Sequence, residues 1–155
     1  MYASLTWAVK ESLHTYIREV GGAVIPLQPA QVETGTATFP CEAAESNAGR
    51  TILKFMGGIR FIAHQGLLDV TVREPWLDIS YSQNSFTISV TGNGVQSSDS
   101  GDRITIGRGE LPSHFAASGE SSDIEVLLTA EGATIFRYYP SGIRLAPLQL
   151  QRPPK

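Results

Sequence analysis

The sequence predicts a mostly β domain: an antiparallel β-sandwich with a short N-terminal helix and a second short helix near the C-terminus. Three observations predict it. After Gly22, apolar and polar residues alternate in many short runs. Glycine, serine, asparagine and aspartate separate those runs, as turns require. Only two segments carry helical spacing. The chain has 155 residues, which favours one domain over 1–155. A chain of this size buries about two-thirds of the surface it exposes when unfolded. Hydrophobic residues make up 41% and charged residues 17%, a balance that excludes a disordered or coiled-coil chain. No internal repeat and no linker divides it.

The first element is read as a helix over Ser4–Glu19. Leu5, Val9, Leu13, Tyr16, Ile17 and Val20 recur at its spacing, with Lys10, Glu11, His14, Arg18 and Glu19 on the other face. Ser4 or Thr6 would cap its start and Gly21-Gly22 its end. Strands are expected at Ala23–Leu27, Thr36–Phe39, Thr51–Met56, Ile59–His64, Leu67–Arg73, Trp76–Tyr81, Phe86–Thr91, Arg103–Gly107 and Ile124–Leu128. Gly57-Gly58 and Gln65-Gly66 read as hairpin turns. Asn93–Asp102 reads as an exposed loop. The second helix fits Thr129–Phe136, capped by Thr129 with Glu131 in its first turn, although Gly132 is a poor helix former. Leu145–Leu150 alternates and reads as a last strand.

Composition also removes several functions. Net charge is -3, and no lysine or arginine cluster could track a phosphate backbone or an anionic membrane. Cys41 is the single cysteine, so neither an internal disulfide nor a CxxC site exists; it is expected as a free thiol in a loop after Pro40. No apolar run reaches the ~18 residues of a membrane span. The N-terminus lacks a basic segment followed by an apolar one, so the chain is expected to be soluble, and cytoplasmic if complete.

Catalytic motifs are scarce. There is no GxSxG, and Gly107-Arg108-Gly109 lacks the spacing of a phosphate loop. His14, His64 and His114 stand apart and form no zinc motif. Asp69, Glu74 and Asp78 read as solvent-facing strand carboxylates. What remains are hydroxyls and one imidazole near special turns. Ser12 and Tyr16 share a helix face at i, i+4. His64 ends an apolar strand beside Gln65-Gly66. Tyr138-Tyr139 precede the turn Pro140-Ser141-Gly142. On the residues alone, Tyr16 reads first as a core aromatic with its hydroxyl at the rim, His64 as a structural histidine, and the tyrosine pair as packing.

Taken together, three segments resemble one family. Leu5–Ile17 (LTWAVKESLHTYI), Ile59–Ile79 (IRFIAHQGLLDVTVREPWLDI) and Leu128–Leu150 (LTAEGATIFRYYPSGIRLAPLQL) are similar, in order, to the HtaA-type haem-binding domain of cell-surface haem acquisition systems. The resemblance implies a β-rich fold with a haem pocket on one side. It implies Tyr16 as the axial ligand of ferric haem iron (haem b), with His64 as the hydrogen-bond partner of that ligand. It places Ser12 and Tyr139 in the haem pocket, with Ser12 toward a propionate. Phe61, Leu67 and Trp76 are candidate pocket walls. The chain departs from the family at Gln65, where a second histidine or a small residue is common, and matches little over Asn93–Ser121. Family members are usually exported or cell-surface proteins. The function implied is haem uptake, transfer or storage without catalysis, with haem and other haem carriers as partners. An interaction or adhesion domain without haem, and a haem-dependent enzyme, are the competing classes.

Overall fold

The computed structural model describes residues 4–91, 103–112, 115, 121–137 and 139–151. The loop expected at residues 93–102, His114 and Tyr138 lie outside the described residues.

Alternation dictates most of the architecture. The strands β1 (Ser4–Trp7), β2 (Ala23–Leu27), β3 (Gln31–Glu33), β4 (Thr36–Asn47), β5 (Arg50–Phe55), β6 (Gly58–Ala63), β7 (Leu68–Ser80), β8 (Ser85–Thr91), β9 (Ile104–Glu110), β10 (Ser121–Ile124), β11 (Leu127–Leu128) and β12 (Leu148–Gln151) form a curled antiparallel sheet. Its main path runs β10-β12-β1-β4-β5-β7-β8-β9-β11, with β2 on β6, β3 on β4 and β6 on β7. Helix α1 spans Glu11–Glu19 and helix α2 spans Ala130–Phe136. The mostly β fold with two short helices is therefore as the sequence predicts.

The inner face of the curl is the core. In β7, Leu68, Val70, Val72, Leu77 and Ile79 are buried while their neighbours are not, the period of a half-buried strand. Trp7, Phe39, Phe55, Phe61 and Phe136 are its largest fully buried side chains. The outer face carries ion pairs: Arg60 with Asp69, Arg50 with Asp78 and Lys54 with Glu45.

Three elements differ from expectation. Ser4–Trp7 is a strand, not the first turn of a helix. Leu5 pairs with Phe39 on one side and Leu150 on the other. Leu5, Trp7 and Val9 are all buried, so period two holds until Val9, whose φ of 69° turns the chain. Secondly, Gly57-Gly58 is not a hairpin. β5 and β6 lie end to end along β7, Lys54 of β5 opposite Trp76 and Gly58 of β6 opposite Arg73. The long strand bulges at Glu74, whose N–H donates to the Gly57 carbonyl at 2.7 Å. Residues Leu67–Arg73 and Trp76–Tyr81 are thus, but for their ends, one bent strand, as bulges permit. Thirdly, Cys41 lies within β4, half-buried, its thiol donating to the Ala43 carbonyl. Burial pushes its pKa up. The last strand starts at Leu148, and Ile124–Leu128 divides between β10 and β11. Among the described residues no helix is long and apolar enough to cross a membrane.

Candidate functional site

Because α1 starts at Glu11, Leu5 and Val9 lie outside it and do not define its inner face. Leu13, His14 and Ile17 face the core. Tyr16 is 41% exposed, so it is not on the inner stripe. His14 takes the inner place. Its ring meets the Phe61 ring edge-on at 5.0 Å, and its Nε2 lies 2.7 Å from the Ala8 carbonyl, to which it donates. Burial holds its pKa below the usual histidine value.

The outward turn of Tyr16 puts it opposite the β6–β7 connection. There the chain makes a short 3₁₀ turn over His64–Gly66. His64, Gln65 and Gly66 all have left-handed backbones, at φ of 53°, 57° and 92°. Two successive non-glycine residues in that region are strained, and such strain collects at functional sites. The turn leaves His64 exposed, with Ala63 buried behind it. The Tyr16 hydroxyl and His64 Nε2 are 2.6 Å apart. With the imidazole proton on Nδ1 the hydroxyl donates; with it on Nε2 the ring donates to the phenol oxygen.

A second hydroxyl pair lies along the same helix. Ser12 Oγ is 3.3 Å from the Tyr139 hydroxyl. Tyr139 is half-buried, with its ring against Phe136 at 6.2 Å and the Lys10 ammonium 5.6 Å from its centroid. The structure therefore brings together all four predicted residues, Ser12, Tyr16, His64 and Tyr139, as two hydrogen-bonded pairs one helical turn apart.

A cleft of about 550 Å³ begins in the turn that carries His64 and ends at Phe136, whose ring meets that of Tyr139, but none of the four residues lines it. It runs from Gly66 and Leu67, next to His64, along β7 to Phe136 and Arg137 at the end of α2. Leu67, expected as a wall, lines it and is 84% exposed. Phe61 does not; it is fully buried under His14. Trp76 does not either, because its ring lies between Lys54 and Arg103, at 4.3 and 3.9 Å. Ile104, Ile135, Arg73 and Arg137 line the cleft instead. Nothing local in the sequence marks the first three, which meet only through the curl of the sheet. Arg137 carries a clue, standing just past the end of the second predicted helix.

The site can offer one exposed phenol oxygen held by an imidazole. Among the described residues no group of three or more His, Cys, Asp or Glu side chains is placed to hold a metal ion.

Comparison with known proteins follows the same lines. A family model, HtaA (Htaa), matches residues 2–151. The chain is similar to the crystal structure of the C-terminal domain of HtaA from Corynebacterium glutamicum, at 22% identity and a TM-score of 0.78, over 97% of this chain and 94% of that one. For the N-terminal domain of HtaA from the same organism the values are 20%, 0.75, 99% and 98%. For the Heme binding protein HtaB they are 20%, 0.68, 96% and 91%. At these identities the likeness is one of fold. No curated protein matches the chain.

Proposed function

Since the chain belongs to the HtaA family, whose model spans residues 2–151, we propose that it binds ferric haem through Tyr16, with His64 as the hydrogen-bond partner of that ligand. The observation that carries the reading is the 2.6 Å contact between the exposed Tyr16 hydroxyl and His64 Nε2. A buried phenol would need only a partner; an exposed one, held by a strained turn, is aimed at something else.

The donor set fits haem. Tyrosine is an axial ligand for haem iron, and a phenolate is a hard anionic donor suited to the ferric state. A free phenol ionises near pH 10. A phenolate at neutral pH therefore depends on the cation it binds and on the hydrogen bonds it accepts. His64, protonated at Nε2, would donate to that oxygen and fix the direction of the ring, as outer hydrogen-bond partners do at metal sites. A lone protein oxygen does not hold a bare transition-metal ion firmly. A porphyrin brings four nitrogen donors of its own, so one axial residue suffices. The cleft volume of about 550 Å³ lies within the ~300–1,000 Å³ of small-molecule sites. Ser12 and Tyr139 would donate hydrogen bonds to the carboxylates at the polar edge of the same ligand. The family relationship favours a carrier or store over an enzyme.

Hemin titration of the purified chain tests this. The expected product has the visible spectrum of a ferric tyrosinate complex. Tyr16→Phe should lose the tyrosinate bands. His64→Ala should keep them but bind more weakly. If Tyr16→Phe leaves the spectrum unchanged, the ligand assignment is wrong. If His64→Ala abolishes it, the imidazole is the ligand. Reduction with dithionite should weaken binding, because ferrous iron loses much of its attraction for the anionic oxygen.

A further inference from the structure

The inner face of α1 carries one polar side chain that the site at Tyr16 does not use. His14 is only 9% exposed. Its Nε2 lies 2.7 Å from the Ala8 carbonyl. A carbonyl only accepts, so the ring proton sits on Nε2. Burial disfavours a second proton on the ring. Nδ1 is then a bare acceptor, and among the described residues no group donates to it. Buried polar atoms are nearly always paired, so a bare one calls for an explanation.

The space beside that atom supplies one. His14 borders a hollow of about 300 Å³ between α1 and the strands β2 and β3. Ile17, Val24 and Val32 give it apolar walls, and the exposed Arg18 is its only other polar side chain. The Cγ–Nδ1 edge of the imidazole faces Gly35. A Cβ built on that glycine would meet only those two atoms, each at 3.9 Å. The glycine, at φ of 76° in the turn between β3 and β4, thus leaves the flank of Nδ1 open. A water there would find Nδ1 and Arg18 among the lining side chains, whereas a buried water usually makes about three hydrogen bonds. We infer that the hollow is a second binding site, for a small apolar molecule of about the size of indole whose single N–H or O–H donates to His14 Nδ1. Its volume stands at the lower end of the ~300–1,000 Å³ of small-molecule sites. It is separate from the haem reading: His14 and Tyr16 are two residues apart, about 200° around the helix.

The test compares indole with benzofuran, which keeps the bicyclic shape and lacks the N–H. Each is titrated into the full chain carrying nitrogen-15 histidine, and the ring nitrogens are followed by NMR. Indole should shift the Nδ1 resonance of His14 more than its Nε2 resonance. Benzofuran should bind at least about tenfold more weakly, a difference of about 1.4 kcal/mol. Val32→Phe, which fills the hollow from the short strand β3, should lose the indole shift while keeping the circular dichroism and the hemin titration of the wild type. Equal binding of the two bicycles would overturn the inference. So would an indole shift that survives in Val32→Phe, or an Nδ1 resonance that indole does not move. Displacement of indole by hemin would overturn the separation of the two sites. The spectrum of the hemin complex, on which the haem reading stands, is measured independently of all these outcomes.

Discussion

At the scale of single residues, the exchange of places between His14 and Tyr16 governs the site. His14 is buried and uncharged, donating from Nε2 to the Ala8 carbonyl. Burial, with a smaller contribution from Arg18, keeps its pKa below 6.5 in the folded chain. In the unfolded chain it takes up a proton near pH 6.5. Between those two values the unfolded state binds more protons, so stability rises with pH there. As pH falls from 6.5 toward the lowered folded-state value, stability is lost; below that value this histidine contributes no further slope. Thermal unfolding followed from pH 8 to pH 5 should therefore show a falling Tm, and His14→Gln should flatten that portion. An identical slope in His14→Gln would show that other groups cause it. The sequence could name Tyr16, His64, Ser12 and Tyr139 only through a family resemblance. Physical reasoning put Tyr16 in the core and His14 on the surface, because a helix begun at Ser4 takes part of its apolar stripe from Leu5 and Val9, which lie outside α1. Hydrophobic spacing alone cannot separate Leu5, Trp7 and Val9 on a strand from the same residues on a helix when the run is this short.

Elements explain the residue that most weakened the second helix in the sequence. Gly132 costs about 1 kcal/mol in a helix relative to alanine, and α2 keeps it inside its first turn. The reason is packing. A Cβ on Gly132 would lie 2.6 Å from the Ile106 carbonyl oxygen and 2.8 Å from a Leu128 methyl. The helix sits directly on the backbone of β9. Thr129 ties the two together: its hydroxyl accepts from the Gly132 N–H at 2.9 Å and donates to the Thr105 carbonyl at 2.6 Å. Gly132→Ala should therefore destabilise the chain by about 1–3 kcal/mol, as overpacking does, against the gain that helix propensity predicts. Thr129→Ala should cost about 1 kcal/mol for the lost cap. Urea denaturation distinguishes the outcomes, and a stabilised Gly132→Ala would mean that α2 can lift from β9. The capping threonine was readable because capping is local. The end-to-end placement of β5 and β6 along β7 was not, since a glycine pair between two apolar runs signals a hairpin as readily as a bend. Only the pairing of Arg73 and Trp76 with different partners decides it.

For the whole molecule, the site is a junction of distant segments. Its two hydrogen bonds close sequence separations of 48 and 127 residues. They join α1 to the β6–β7 turn and to the chain after α2. No fragment of the chain contains these parts together, so a ligand of this site recognises the folded state alone. Binding of that kind stabilises by about 2.7 kcal/mol when free ligand is a hundred times Kd. For a chain of this size each kcal/mol raises Tm by roughly 2–4 °C. Hemin at that excess should thus raise Tm by roughly 5–10 °C. Tyr16→Phe should shrink the rise. A rise of equal size in both proteins would mean that hemin binds elsewhere on the fold. The measurement also separates a junction from a surface patch: hydrogen exchange with hemin bound should slow together in α1, in the His64–Gly66 turn and in α2, whereas a ligand held by one segment would protect that segment only.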